Sequence, residues 1–178
     1  MAGLAVTKVV NRCDEAKENK RLDLSGCQLT QVPDAIYLLM KNTRVEVCDF
    51  SGNLIRRIPS KLPTKFSYVT ELNLGCNRLS SLPDELKEMK DLKRLDISTN
   101  SFTSLPDLIY GYSKLQHLNM EKNEVKEFDV NNLKSMVSLV EVNFQDNPLT
   151  DDVYNELLEI RMFNVLITPR DRELDSVD

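Results

Sequence analysis

The sequence predicts an α/β solenoid: six short repeats stacked side by side, with a curved parallel β-sheet on the concave side and short helices and 3₁₀ turns on the convex side. Three observations carry this. An apolar frame of the form LxxLxLxxN recurs along the chain. Its asparagine position falls at residues 27, 53, 77, 100, 123 and 147, with separations of 26, 24, 23, 23 and 24. An apolar residue followed by proline then closes the turn, as in Val32-Pro33, Ile58-Pro59, Leu82-Pro83 and Leu105-Pro106.

Taken in order, Leu4 to Lys17 places Val6, Val9, Val10, Cys13 and Ala16 at helical spacing, a pattern that suits an N-terminal cap. Repeat one carries Leu22, Leu24, Cys27, Leu29 and Val32, but its first apolar position is Asn19. Repeat two carries Val45, Cys48, Phe50, Asn53, Ile55 and Ile58. Repeats three (Val69, Leu72, Leu74, Asn77, Leu79, Leu82) and four (Leu92, Leu95, Ile97, Asn100, Phe102, Leu105) match one another without a gap. Repeat five keeps Leu115, Leu118, Met120, Asn123, Val125 and Phe128 but has Asp129 for the proline, and repeat six runs from Leu139 through Val142, Phe144, Asn147 and Leu149 to Val153. The expected organisation is one domain over 1–168, with a cap over 1–18, repeats over 19–153, a C-terminal cap over 154–168 and a disordered charged tail over 169–178. Within the caps, Asp151 to Ile160 is expected as a helix with Thr150 as N-cap, and Met162 to Ile167 as a strand that closes the core.

Return segments are expected to face the stack through pairs such as Ile36 with Leu39, Leu86 with Met89, Ile109 with Tyr112 and Leu133 with Met136. Repeat one is the longest, so Asp34 to Met40 is expected to be the best-formed convex helix. The two apolar residues of each LxL point inward at the period of two that a strand imposes. A ladder asparagine can satisfy backbone groups of its own turn and of the neighbouring one; Cys27, at the same position, can do less of this.

Strand alternation turns the residues between the apolar ones outward on the concave sheet. A central row reads Asp23, Asp49, Asn73, Asp96, Asn119 and Asn143, flanked by Arg21, Val47, Glu71, Arg94, His117 and Glu141 and, on the other side, by Ser25, Ser51, Gly75, Ser98, Glu121 and Gln145. The candidate partner-binding residues are Arg21, Asp23, Asp49, Glu71, Asn73, Arg94, Asp96, His117, Asn119, Glu141 and Asn143. A row of acceptors repeating every ~4.8 Å is suited to an extended basic or polar peptide. The same charges are also what a plain solvated sheet face needs, and convex Tyr37, Tyr68 and Tyr110 form a competing surface.

These repeats resemble the intracellular leucine-rich repeat family, of the subtype whose repeats end in apolar-Pro and run 23 residues, over residues 22 to 153. A narrower resemblance, to a small one-domain member, is carried by Leu22-Asp23-Leu24, by Pro33 to Tyr37, by Asn119 to Val125, by Asn147-Pro148-Leu149 and by Phe163 to Pro169. The resemblance implies a leucine-rich repeat solenoid that serves as a protein-binding scaffold with no defined reaction.

Composition narrows the function classes. The 178 residues carry 23 Lys+Arg against 28 Asp+Glu, a formal net charge of −5, which argues against a phosphate-backbone or anionic-membrane partner. No apolar run approaches the ~18 residues of a membrane span, and no signal-peptide pattern opens the chain, so a cytoplasmic or nuclear location is expected. Cys13, Cys27, Cys48 and Cys76 are scattered without a CxxC pair or neighbouring His and are expected to stay reduced. His117 is the single histidine and no motif places a nucleophile beside it; no metal-ligand spacing or phosphate-binding glycine loop occurs. The expectation is a non-catalytic, monomeric module without cofactor or metal that binds another protein. A stoichiometric regulator of an enzyme or GTPase, and a structural or oligomerisation element, are the alternatives.

Overall fold

The computed structural model describes residues 2–170, with side chains from residue 7 onward. Seven parallel strands form one sheet in chain order: β1 (Arg21–Asp23), β2 (Val47–Asp49), β3 (Glu71–Asn73), β4 (Arg94–Asp96), β5 (His117–Asn119), β6 (Glu141–Asn143) and β7 (Asn164–Leu166). Six come from the six repeats and the seventh from the C-terminal cap. Helix α1 (Ala2–Asn19) covers β1, and the return segments hold α2 (Ala35–Leu39), α3 (Lys61–Lys65), 3₁₀ turns at Asp84–Glu88 and Asp107–Gly111, and α4 (Val130–Lys134). Helix α5 (Asp151–Leu158) precedes β7.

The core is continuous from Val9, Cys13 and Ala16 of α1 through the LxL residues of every repeat to Val153, Leu157 and Ile160. Phe50, Phe102 and Phe144 fill it completely buried. No repeat encloses this surface alone, so stability comes from stacking. The asparagine ladder satisfies the backbone between repeats. The Asn53 Oδ1 accepts the N–H groups of Cys27 and Leu29 at 3.0 Å, while its Nδ2 donates to the Leu24 and Phe50 carbonyls. Asn77, Asn100, Asn123 and Asn147 repeat the pattern, each accepting from one N–H of the preceding repeat and donating back to one of its carbonyls. Cys27 is buried, but its Sγ reaches only the Ser25 carbonyl, at 3.5 Å.

Residues just before the ladder position turn left-handed in every repeat: Gly26, Gly52, Cys76, Thr99, Lys122 and Asp146 have φ between 51° and 64°. Only the first two are glycine, so Thr99, β-branched with φ 51°, carries the most backbone strain of the set. The turn is worth holding because its N–H continues the ladder, as in Thr99 N–H to the Glu121 carbonyl at 2.7 Å.

The first edge of the sheet is completed by side chains. In the interior, Val47 N–H donates to the Lys20 carbonyl and Leu24 N–H to the Asp49 carbonyl. At β1, where a preceding strand would supply those partners, Asn19 Oδ1 accepts from Arg21 N–H at 2.8 Å, and the Arg12 guanidinium donates to the Asp23 carbonyl at 2.7 Å. Lys8 Nζ reaches the Gly26 carbonyl at 3.3 Å. Asn19, the polar residue in an apolar frame position, is therefore an edge cap.

The last edge differs. Strand β7 pairs with β6, and Thr168 Oγ1 accepts from Asp146 N–H in place of a further repeat's carbonyl. By register, the N–H groups of Val165 and Ile167 point to where an eighth strand would lie. The expected closing strand over Met162 to Ile167 shortens to three residues; Met162 is exposed and Val165 and Ile167 remain partly exposed. Residues 171–178 of the expected tail lie outside the described residues. Arg170, placed in that tail by the sequence, instead engages Asp151 and the Leu149 carbonyl, and its guanidinium stacks 4.1 Å from the Tyr154 ring.

Three local expectations are corrected. Asp34 to Met40 forms no better helix than its counterparts: α2 has five residues, the same as α3 and α4, and the extra length of repeat one turns through Asn42 at φ 67°. The inward partner of Ile36 is buried Met40, one helical step beyond Leu39, which is only partly buried. Thr150 occupies the N-cap position of α5 without a side-chain hydrogen bond. Among the described residues Asp129 caps α4 with its side chain: Oδ1 accepts from the Asn131 and Asn132 N–H groups, which accounts for the missing proline of repeat five.

Candidate protein-interaction surface

Strand register sets the concave rows. Arg21, Val47, Glu71, Arg94, His117 and Glu141 lie side by side, as do Asp23, Asp49, Asn73, Asp96, Asn119 and Asn143. They line a shallow trough of about 310 Å³ that includes every candidate binding residue except Asp23. Asp23 sits beyond it, beside α1, where its Oδ1 lies 2.7 Å from Arg12.

The central row is not a set of free acceptors. Each of its residues turns Oδ1 back onto the backbone N–H two positions ahead: Asp23 to Ser25, Asp49 to Ser51, Asn73 to Gly75, Asp96 to Ser98, Asn119 to Glu121 and Asn143 to Gln145, all between 2.9 and 3.1 Å. The serine hydroxyls donate to the same oxygens at 2.6–2.7 Å. The row therefore ends each strand before it serves any partner. Across repeats, Asn73 Nδ2 donates to Asp49 Oδ2 at 3.4 Å and Asn119 Nδ2 to Asp96 Oδ2 at 3.1 Å. Interleaving amides keeps carboxylates off adjacent strands after Asp49, which relieves like-charge repulsion. Sequence spacing located these residues but not the inward commitment of half of each side chain.

Gly75 is a crowded position in the third row. A Cβ there would meet Asp96 Oδ1 and Ser98 Oγ at 3.0 Å and Asn73 Oδ1 at 3.2 Å.

Electrostatically the trough is graded. Arg21 stands at the first edge, Arg94 Nε lies 3.8 Å from Glu71 across one strand step, and Glu141 receives Asn164 Nδ2 at 2.9 Å. Glu121 accepts from Lys122 at 2.8 Å and from Asn143 at 3.3 Å; that contact with Glu121, more than the nearby Asp146, raises the Lys122 pKa. Burial alone would raise the Asp23 carboxyl, but the Ser25 hydroxyl and N–H, with Arg12 and Arg21, outweigh it and hold the group below its ordinary value. His117 is half-buried between Arg94 and Glu141 in its row. Among the described residues no group of three or more His, Cys, Asp or Glu is placed to hold a metal.

The convex tyrosines are largely used in packing. Tyr37 lies 6.0 Å from Phe66 with Lys61 4.4 Å above its ring, and burial, then the Asp34 charge, pushes its hydroxyl up to about 12. Tyr110 donates to the Asp129 carbonyl at 3.3 Å. Tyr68 stays exposed with the Arg44 guanidinium 4.7 Å from its ring.

Known proteins repeat this architecture. Family models described as leucine rich repeat match residues 67–125 and 20–39. Mouse leucine-rich repeat-containing protein 20 is 31% identical over 173 residues, spanning 95% of this chain and 94% of that protein. The human protein of the same name is 33% identical over 95 residues, 51% of this chain and 52% of that one. Among solved structures, the leucine-rich repeat domain of APL1B superposes with TM-score 0.63 at 24% identity, covering 83% of this chain and 42% of that one. The TLR13–ssRNA13 complex gives TM-score 0.66 at 13% identity over 84% of this chain and 21% of that one; at these identities the likeness is one of fold. Leucine-rich repeat proteins generally mediate protein–protein interaction. The chain belongs to the leucine-rich repeat family and is similar, along nearly its whole length, to leucine-rich repeat-containing protein 20.

Proposed function

We propose that this protein is a non-catalytic interaction module whose concave trough binds an extended, donor-rich segment of a partner protein. The observation that carries this reading is the charge of the trough itself: the carboxylates of Asp49, Glu71, Asp96 and Glu141 line it against Arg21 and Arg94, with Arg94 paired to Glu71. Lysine or arginine side chains and free peptide N–H groups complement that surface. Strand pairing fixes the row, so little side-chain entropy is lost on binding. No buried aromatic anchor lines the trough, which sets the expected affinity in the micromolar range, about 1–10 μM.

The internal bonds dictate the test. Charge reversal at Asp49 or Asp96 would break the strand-end bonds as well as the surface, whereas Asp→Asn keeps Oδ1 for the serine and replaces only Oδ2, which accepts from Asn73 or Asn119, by an amide nitrogen. Affinity capture from cell lysate is compared between the wild type and Asp49→Asn/Asp96→Asn/Glu141→Gln. A protein held by the wild type and lost from this variant supports the trough as its site. Equal retention by both baits moves binding off the concave face.

A monomeric, cytoplasmic protein is the state we infer for this module. Four free thiols, three of them buried, suit a reducing compartment. Self-association would begin at the outer edge of β7, the last strand of the sheet among the described residues, near exposed Val140 and Met162. Light scattering at rising concentration measures it.

A further inference from the structure

From Ser51 through Thr70 the chain contains no Asp or Glu but four cations, Arg56, Arg57, Lys61 and Lys65, in a protein whose net charge is −5. Buried Ile55 and Ile58 flank Arg56 and Arg57 and anchor that stretch, so both arginines turn outward on the flank that descends from the concave sheet. Arg78 joins them from repeat three, its backbone N–H donating to the Ile55 carbonyl at 2.9 Å. All three are exposed. Arginines elsewhere, such as Arg12, Arg44, Arg94 and Arg170, face carboxylates, but among the described residues Arg56, Arg57 and Arg78 enter no ion pair.

Their surroundings supply donors and one apolar contact. In the same frame positions as Arg56 and Arg57, repeats three and four present exposed Ser80-Ser81 and Thr103-Ser104, and repeat one presents Thr30-Gln31. Leu54, 38% exposed, lies in the frame position of Arg78, one repeat away. Unpaired guanidiniums next to hydroxyls form a surface matched to carboxylates, which arginine can hold with two parallel hydrogen bonds.

We infer that this flank of repeats two and three, centred on Arg56, Arg57 and Arg78, is a second interaction surface that docks an acidic segment of a partner protein. The occupant is chosen by charge complementarity. A nucleic acid gains its affinity from many neutralised phosphates, and three arginines on a net-negative protein offer few. A short acidic peptide needs only two or three carboxylates with an apolar side chain for Leu54. The surface is distinct from the acidic concave trough, so the module presents opposite charge on two faces and can hold two segments of unlike composition at once.

The test is fluorescence anisotropy of a labelled polyglutamate peptide of about ten residues with the whole chain at low salt. Arg56→Gln/Arg57→Gln/Arg78→Gln is expected to weaken binding at least about tenfold. Lys87→Gln/Lys90→Gln, a convex control, and the concave Asp49→Asn/Asp96→Asn variant are each expected to change it less than about twofold. Circular dichroism melts check that these exposed substitutions leave the fold intact. The inference is overturned if the wild type does not bind the peptide, if the arginine variant binds as the wild type does, or if the lysine control loses as much. An oligothymidylate of equal length binding as tightly as the peptide would also overturn it, since the surface would then be one for nucleic acid.

Discussion

The two ends of the sheet meet the same problem in different ways. A strand at either edge of a parallel stack has backbone groups that a neighbouring repeat would satisfy. At β1, α1 answers with side chains: Asn19 for the Arg21 N–H, Arg12 for the Asp23 carbonyl and Lys8 for the Gly26 carbonyl. At β7, among the described residues, Thr168 alone substitutes, bonding Asp146 on the inner side, and the outer edge has no strand beside it. The contrast teaches that the repeat frame is a set of backbone debts fixed by position, and that two departures from it, Asn19 and Cys27, fall where a neighbour is missing.

Removing an interior ladder residue should break the comparison hardest. Asn100→Ala leaves the Leu79 N–H without its partner and the Leu74 carbonyl with the Asn77 amide alone, a loss of about 3 kcal/mol, whereas Cys27→Ala at the edge should cost only about 1 kcal/mol. Urea unfolding of the two variants measures the difference. Next in size is Arg12→Met, which strips the first edge of its carbonyl donor and of the Asp23 ion pair and should cost about 1–2 kcal/mol by the same assay.

The charge of Asp23 can be separated from its geometry by pH. Its folded pKa is lowered, so its contribution is present above the ordinary carboxylate value and is lost as pH falls through the lower folded value. Asp23→Asn keeps the bond from Ser25 N–H but not the charge. The stability gap between wild type and this variant should be widest near neutrality and close on acidification, as followed by thermal melts across pH. Smallest is Thr99→Gly, which relieves a left-handed β-branched residue and should raise stability by about 0.5–1 kcal/mol. Thiol titration sharpens the picture of the core. Cys76 alone should react in the native protein, with Cys13, Cys27 and Cys48 following only on unfolding, because burial raises the Cys13 and Cys48 thiols.

Much of this was legible in the sequence because period and residue type determine inward and outward faces directly. The strands, the ladder and the concave rows follow from LxLxxN alone. The rest depended on hydrogen-bond direction, which spacing does not encode. Asp49 and Asp96 looked like free surface acceptors, yet each commits Oδ1 to a serine two residues on. That pairing was recoverable from the Asp-x-Ser spacing, as the Asp129 cap was from Asp followed by Val-Asn-Asn. The engagement of Arg170 with α5 had no local signal, since its partners lie 16 to 21 residues away. The arginine flank was hidden because its members are divided between two repeats, and only register brings Arg78 beside Ile55 and Arg56.

Pre-organisation of the concave rows underlies the proposed binding, and amide hydrogen exchange tests it most directly. The amides of β2 to β6 should exchange last, Arg21 should be protected and lose that protection in Asn19→Ala, and Val165 and Ile167 should exchange first. Exchange in β2 to β6 as fast as at Val165 and Ile167 would contradict the account, because the trough would then be no more ordered than the open edge.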